Sequence, residues 1–293
     1  MTERIVERYQ AAPSAPRFMA RAFRRSRGLS AKSTIPRIEV EWTGWRLEPA
    51  QLDAFRLSTG LDAHEGMPVL FPQVVGFRLQ MALLTHPAYP LPVWSVLQVR
   101  NRLVRHLHID SGEKLDMRIC VDEQRIVEKG IEVDLISRVM RGLTCCWEGR
   151  TTFFHRGRFG APDPVQQRVA LPDLSQAPTI ARFSTPAGGG WDFGKLTGDY
   201  NGIHCWNWYA RRLGFPRAFS HSQRAAAMCQ ARLAGPDTEA QTLDLWIRGP
   251  VFYGAGVQLN GVSARDGLRF GLSLHGDARS ALVGYWRPGA DAV

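Results

Sequence analysis

Apolar residues recur along this chain at two spacings, one typical of helices and one typical of strands. In the first half, a helical pattern over residues 73–85 precedes four strand-like runs, at 93–99, 114–120, 130–140 and 149–156. In the second half, a helical run over 216–233 precedes four more, at 241–252, 258–262, 268–274 and 281–286. One helix followed by several antiparallel strands, twice, predicts an α+β chain of two similar units, each a long helix wrapped by a curled sheet.

A proline cluster separates the two predicted units. Four prolines fall between residues 158 and 179, a composition that favours a linker. The chain has 293 residues, of which 44% are hydrophobic, enough for two domains of about 130 residues each. We therefore place the first unit at residues 38–170 and the second at 171–293.

The positive charge of the chain is concentrated in its first 37 residues. Nine Lys and Arg residues stand there against Glu3 and Glu7, which gives +7 and leaves +3 of the total +10 for the remainder. This composition predicts a solvated or partly ordered basic arm over residues 1–37. An anionic surface, such as a membrane or an acidic carrier protein, is the alternative partner for such an arm. A nearly neutral body without a recognised binding motif argues against nucleic acid.

Cysteine usage indicates a reducing compartment. The five cysteines are odd in number and form no Cys-x-x-Cys pair, which argues against a disulfide framework and against a zinc site. No run of 18 apolar residues is present, and charged residues rather than an apolar segment follow Met1. We therefore expect a cytoplasmic protein without a membrane span.

The most informative stretch is residues 197–204, which read Thr-Gly-Asp-Tyr-Asn-Gly-Ile-His. Asp199 and His204 lie five positions apart in a turn of small and polar residues, which can aim both side chains at one water molecule. Asn201 lies between them and can support the carboxylate. His221 follows near the start of the second predicted helix, whose free backbone N–H groups suit a developing oxyanion.

This stretch resembles the MaoC-like group of (R)-specific enoyl-thioester hydratases and β-hydroxyacyl dehydratases. The hallmark of the group is (S/T)-G-D-x-N-x-(I/L)-H, then A-x-x-x-G-F, then H-G before an apolar helix. The matching residues here are Thr197, Gly198, Asp199, Asn201, Ile203, His204, Ala210, Gly214, Phe215 and His221. Two positions depart from the pattern. Gly202 replaces a frequent Pro, which is expected to loosen the turn, and Ser222 replaces the usual Gly at the helix start, where it could crowd a thioester carbonyl.

The resemblance implies a tandem, or double, hot dog fold in which the two halves have different tasks. The C-terminal half would supply the catalytic turn, and the N-terminal half would widen the tunnel for an acyl chain. Phe77, Met81 and Leu84 share one face of the helix predicted at 73–85 and could line that tunnel. Ordinary core packing is the alternative for these three residues.

The resemblance also implies a hydro-lyase that reversibly hydrates trans-2-enoyl thioesters to (3R)-hydroxyacyl thioesters without a metal or an organic cofactor. The substrate would be a thioester of coenzyme A or of acyl carrier protein. Asp199 and His204 would be catalytic, and Gly198 and Asn201 would shape the turn. Backbone groups near His221 and Ser222 would bind the thioester oxygen. The His221 side chain could instead fix the helix start or pack under the turn.

Several arginines follow the turn and could contact the phosphates of coenzyme A or of a carrier protein's phosphopantetheine. They are Arg211, Arg212, Arg217 and Arg224. A solvated helix face is the alternative role for each. Two other functions also stay open at this point: a non-catalytic acyl-thioester-binding protein and a hot dog acyl-CoA thioesterase. A homodimer is a further possible partner arrangement for each of these functions.

Overall fold

The computed structural model describes residues 4–29, 33–62, 66–163, 170–236 and 238–291. Its strands form one sheet of eleven, in the order β1-β2-β4-β5-β6-β3-β8-β11-β10-β9-β7. The strands are β1 Ile5–Tyr9, β2 Ile38–Arg46, β3 Val96–Arg105, β4 Lys114–Val127, β5 Gly130–Arg141, β6 Thr144–Arg156, β7 Thr179–Ser184, β8 Gln241–Ile247, β9 Gly256–Ala264, β10 Gly267–Leu274 and β11 Ser280–Pro288. The helices are α1 Ala15–Ala22, α2 Pro49–Thr59, α3 Phe71–Leu84, α4 Gly190–Thr197, α5 Gly202–Cys205, α6 Asn207–Arg212 and α7 Ser222–Gln230.

In the first half, five antiparallel strands from β2 to β3 surround α3. This helix is apolar on nearly every side, the pattern of a helix that is buried all round. Its two buried glutamines are satisfied within the core: Gln73 and Gln80 both donate from Nε2 to Thr151 Oγ1, at 3.1 and 3.0 Å. Phe77 and Leu84 are buried and Met81 packs against the core, so ordinary core packing describes these three residues.

In the second half, the sheet from β8 to β7 surrounds α7. This helix has only nine residues, and Ala225, Ala226 and Ala227 at its centre are fully buried. Small side chains allow the helix to approach the sheet closely. Two units of helix and antiparallel strands therefore stand side by side, as the hydrophobic pattern predicted.

The two halves join where β3 pairs with β8. Asp244 on β8 is the charged centre of this junction, and its side chain is 4% exposed. Its carboxylate accepts hydrogen bonds from Arg100 and Arg102 on β3, at 3.1 and 3.2 Å, and from Arg287 on β11, at 2.9 Å. A buried carboxylate requires such partners, and removing them typically costs about 3–5 kcal/mol. The halves are therefore held in one register by charge as well as by the strand pairing.

The hydrophobic pattern predicts the position of the helix in the first half well and that of the helix in the second half less well. The helix predicted at 73–85 is confirmed as α3, but the helix predicted at 216–233 begins only at Ser222. The backbone before it is engaged elsewhere, because Phe219 N bonds to Ile203 O at 3.2 Å and Ser220 N bonds to Val251 O at 2.9 Å. These tertiary hydrogen bonds replace the helical ones.

The basic segment over residues 1–37 is ordered and packed in the part that the structure describes, which contradicts the solvated alternative and agrees with the partly ordered one. Strand β1 pairs in parallel with β2, and the Phe18 side chain of α1 is only 2% exposed. Arg21 donates to both carboxylate oxygens of Glu7, at 2.8 and 3.1 Å. Burying a Phe side chain stabilises a fold by about 1.5–3 kcal/mol. The alternation of apolar and basic residues in this segment thus reflects a helix with one packed face.

Other elements lay outside the sequence prediction. Strand β2 and helices α2 and α4 were not indicated by the hydrophobic pattern, and β3 begins three residues later than predicted, after a short 3₁₀ turn. The predicted linker at 158–179 falls partly outside the described residues. The division at residue 170 stays a prediction. Within the described ranges, no helix is both long and apolar enough to cross a membrane.

His155 on β6 should make the fold sensitive to acid. Its Nε2 lies 3.0 Å from the Tyr89 hydroxyl, and burial lowers its pKa to about 4, against about 6.5 in an unfolded chain. Between these values the unfolded chain binds a proton that the folded protein does not, so stability falls as the pH falls. Lowering the pH from about 7 to about 5 should cost on the order of 2 kcal/mol through this residue.

The variant His155→Gln keeps a hydrogen-bonding partner for Tyr89 and removes the titration. Denaturant unfolding at both pH values should show a smaller loss of stability for this variant than for the wild type. His275→Gln, at an exposed position, is the matched control and should behave like the wild type. Equal pH dependence in His155→Gln and the wild type would contradict the assignment.

Candidate active site

The candidate site begins where helix α4 ends. Gly198 follows the helix with a φ of 76°, in the left-handed region that glycine adopts without strain, and its N–H bonds to Gly194 O at 2.7 Å. A Cβ at this position would lie 2.9 Å from Arg78 Cγ. The glycine is therefore needed both for the backbone angle and for the close packing, and it directs the chain sharply into Asp199.

Two side chains then hydrogen-bond to nearby backbone and fix the turn. Asp199 Oδ1 accepts from Asn201 N at 3.0 Å, and Asn201 Oδ1 accepts from Ile203 N at 3.3 Å, which caps the short helix α5. The Asp199 N–H donates to Thr197 Oγ1 at 3.0 Å. The predicted supporting roles of Gly198 and Asn201 thus have a geometric basis, and Asp199 Oδ2 faces the two histidines.

Asp199, His204 and His221 are brought together. Asp199 Oδ2 lies 3.7 Å from His204 Nε2 and 3.8 Å from His221 Nε2, and the two imidazole rings stack with centroids 3.9 Å apart. A separation of 3.7 Å is too long for a direct hydrogen bond and short enough for one water molecule to bond to both atoms. One water molecule could therefore bond to both the Asp199 carboxylate and the His204 imidazole.

The hydrogen bonds of the two rings assign their tautomers. His204 Nδ1 lies 2.9 Å from Phe219 O, and a carbonyl only accepts, so Nδ1 carries the proton and Nε2 of the neutral ring has the lone pair. His221 shows the opposite arrangement, because its Nε2 donates to Asp199 O at 3.1 Å. Burial, with the nearby His204, lowers the pKa of His221 well below its usual value. His221 is thus a neutral support under the turn.

The start of α7 faces the same turn, since His221 is the residue that precedes this helix. The first hydrogen bond within the helix runs from Ala225 N to His221 O at 3.0 Å, so the N–H groups before it have no helical acceptor. Ser222 Oγ donates to Gln223 Oε1 at 3.2 Å, and Gln223 Nε2 donates to Gln98 Oε1 at 2.9 Å. The Ser222 hydroxyl is therefore held by its neighbour.

Gly202 lies at a closely packed position, a feature that the sequence expectation did not include. It is the first residue of α5 and is buried. A Cβ there would lie 2.7 Å from the ring of Tyr209 and 3.1 Å from the Trp206 ring. The aromatic side chains occupy the space that a larger residue would need, so the glycine serves tight packing.

The arginines divide into two groups. Arg211, Arg212 and Arg217 are exposed on α6 and the loop after it, so their predicted phosphate contacts stay a prediction. Arg224 is different. It is buried and donates to Ser58 O at 3.0 Å and to Gly188 O at 2.8 Å, so it stabilises backbone and is not available to a phosphate.

Two residues outside the second half lie next to the site and were missed by sequence reasoning. Arg78 on α3 donates from Nη2 to Lys195 O at 2.6 Å, in the last turn of α4, directly before the site. Phe18 on α1 comes close to Gly198, because a Cβ there would lie 3.1 Å from Phe18 Cζ. Arg78 and Lys195 are 117 positions apart. No local pattern could have linked them.

A metal could be considered at the same three side chains, whose ligand atoms lie within 4.8 Å of one another. His221 Nε2, however, carries a proton that it donates to Asp199 O, so it has no lone pair for a metal in this arrangement.

A cleft of about 580 Å³ lies near the turn, between α1 and α4. Its lining includes Tyr200 and Trp191, but not the three side chains of the cluster.

No family model matches the chain. A curated relative is 3-hydroxyacyl-thioester dehydratase X of Mycobacterium tuberculosis, which is 28% identical over 156 residues. This match covers 52% of the chain and 54% of the relative, so the chain matches about half the length of that protein.

Solved structures extend the similarity to most of the chain. A crystal structure of HtdX from Mycobacterium tuberculosis has a TM-score of 0.72 at 22% identity, covering 85% of this chain and 99% of that one. A MaoC-like dehydratase from Phytophthora capsici has a TM-score of 0.70 at 17% identity, covering 90% and 99%. Both comparisons confirm the double hot dog fold. In its signature turn, its curated relative and its fold, the chain is thus similar to MaoC-like hot dog dehydratases.

Proposed function

We propose that the protein is a hydro-lyase that interconverts (3R)-hydroxyacyl and trans-2-enoyl thioesters. The observation that carries the proposal is the placement of Asp199 Oδ2 and His204 Nε2, 3.7 Å apart, with the His204 tautomer fixed by Phe219 O. Both atoms accept hydrogen bonds, so one water can donate to each. The positive end of α7 lies beside them and suits a developing thioester oxyanion.

In the hydration direction, the water between Asp199 and His204 attacks C3 of the enoyl thioester. One of its O–H bonds breaks and the proton passes to the carboxylate or the imidazole, while the C3–O bond forms. Negative charge moves to the thioester oxygen, where the backbone N–H groups of Ser222 and Gln223 can donate to it. The held proton is then delivered to C2. Dehydration follows the same steps in reverse.

His221 assists without exchanging protons. Its ring is stacked on His204 at 3.9 Å, and its burial keeps it neutral. A second positive charge at that distance would oppose protonation of His204. The bond from His221 Nε2 to Asp199 O fixes the backbone from which the carboxylate extends. We therefore assign it a positioning role, which is one of the two roles that the sequence leaves open for this residue.

Coenzyme A is the proposed carrier of the acyl group. Arg211, Arg212 and Arg217 provide exposed guanidinium groups close in sequence to the turn, and Arg pairs well with phosphate. The curated relative is named a 3-hydroxyacyl-thioester dehydratase, and this name supports the proposed class of reaction. The (R) configuration of the product and the choice of coenzyme A are both parts of the proposal.

Asp199→Asn should lower the hydration rate at least about a hundredfold, the usual scale for a positioned acid/base group. His204→Ala should be comparably damaging, and the double variant should lose far less than the product of the two, because the residues act on one water. Loss of the enoyl absorbance of a trans-2-enoyl-CoA measures the rate, and chiral analysis of the product tests the (R) configuration.

Asp192→Asn is the matched control, because Asp192 is an exposed carboxylate on α4 that pairs with Lys195 at 2.8 Å. It should keep wild-type turnover. Near-wild-type turnover in Asp199→Asn would end the catalytic assignment. Release of free thiol at the rate of enoyl consumption would instead identify a thioesterase, and binding of the thioester without any turnover in the wild type would identify a binding protein.

Arg78→Ala should lower kcat about tenfold and change KM little. The Arg78 side chain bonds to the last turn of α4 and so helps to orient Asp199. Losing a hydrogen bond to a charged group costs about 1.5–3 kcal/mol. Arg78→Lys should recover part of the rate, since an ammonium can also donate to Lys195 O. Lys195→Ala is the control, since it keeps that carbonyl and removes only an exposed side chain. Unchanged kcat in Arg78→Ala would show that the turn is positioned without it.

A further inference from the structure

An exposed group of aromatic residues stands next to the catalytic turn. Trp191, Trp206 and Trp208 are 47%, 39% and 60% exposed, and Leu213, the residue that follows α6, is 56% exposed. The aromatic rings form a connected row. The ring centroid of Trp191 lies 5.4 Å from that of Trp206 and 5.3 Å from that of Tyr200, and the centroid of Trp206 lies 6.1 Å from that of Trp208. These five residues are called the tryptophan surface below.

The short helix α6 presents much of this surface to solvent. Within this helix only Ala210 is buried, and the side chains of Trp208, Arg211 and Arg212 face solvent. Exposed clusters of large apolar side chains generally mark an interaction site. The proposed chemistry at Asp199 and His204 does not require these tryptophans. The surface therefore points to a partner other than the reacting atoms.

Charge indicates what kind of partner the surface fits. Between residues 190 and 217, the exposed ionisable side chains are four basic residues and one acidic residue, which gives +3. They are Lys195, Arg211, Arg212, Arg217 and Asp192. A second copy of the chain docked symmetrically on this surface would bring two such charges together, which disfavours self-association there. An anionic partner is favoured.

We propose that the tryptophan surface docks the protein on an anionic lipid bilayer. Indole and phenol rings are amphipathic and prefer the interface between lipid and water. Each Lys or Arg held near an anionic membrane adds about 1 kcal/mol of attraction. A solvent-exposed helix with apolar and basic side chains can enter the headgroup layer, whereas docking on a protein usually needs a broader, complementary face. Docking would hold the turn that contains Asp199 close to the membrane.

The proposal is tested with the full chain and vesicles of phosphatidylcholine with or without phosphatidylglycerol. Sedimentation should show binding to the anionic vesicles, weaker binding at high salt and little binding to phosphatidylcholine alone. The tryptophan emission should shift to the blue on binding. Trp208→Ala should weaken the binding about tenfold, the effect of losing one large apolar anchor. Arg212→Gln should weaken it by a smaller factor and reduce its dependence on salt.

Two control variants lie on other parts of the molecule. Leu143→Ala removes a side chain that is 99% exposed in the turn between β5 and β6, and Arg265→Gln removes an exposed charge in the turn between β9 and β10. Both should bind vesicles like the wild type, and all four variants should keep the wild-type melting temperature. Vesicle binding is measured without substrate, so its outcome is independent of the hydratase assay.

Three outcomes would overturn the proposal. The first is no binding of the wild type to anionic vesicles, or equal losses in Trp208→Ala and the controls. The second is a dimer in sedimentation velocity that Trp208→Ala dissociates, which would identify the surface as a subunit contact. The third is saturable binding of an acidic carrier protein that depends on Trp208 while vesicles do not bind, which would identify a protein partner.

Discussion

The hydrogen bond from His204 Nδ1 to the Phe219 carbonyl is the constraint on which the site depends. In the neutral ring it leaves the lone pair on Nε2, the atom that lies 3.7 Å from Asp199 Oδ2. The bond exists only because the segment before α7 is pinned by Ser220 N to Val251 O, instead of continuing the helix. A helix that began near residue 216 would have used the Phe219 carbonyl for a helical hydrogen bond. The site therefore requires that the residues before Ser222 are not helical, although their hydrophobic pattern predicted a helix.

The rest of the turn is held from both sides. His221 lies beneath it, buried and neutral, and bonds to Asp199 O, while Asn201 N bonds to the carboxylate itself. On the far side, Arg78 of the first half holds the end of α4. The first half thus does more than fill space beside the second. Through the Asp244 junction and through Arg78, it fixes the position of a turn that belongs entirely to the other half.

Much of this arrangement could be predicted from the sequence, because it is encoded locally. The buried helix α3 and most of the strands follow from hydrophobic period, and the turn follows from Asp199, Asn201 and His204 at short spacing. Contacts between distant segments could not be predicted in this way. Phe18 and the rest of α1 looked like a charged arm, because their packed face is completed only by α3 and the turn. The tautomers of the histidines likewise depend on carbonyls that no sequence motif identifies.

Nitrogen-15 NMR of the imidazole side chains tests the site most directly, with resonances assigned by comparison with His204→Gln and His221→Gln variants. At neutral pH, His204 should be in the Nδ1–H tautomer and His221 in the Nε2–H tautomer. His221 should stay neutral well below the usual pKa of histidine, since burial lowers its pKa. A His204 ring protonated only at Nε2, or a positively charged His221 at neutral pH, would contradict the assignment of the water-activating pair.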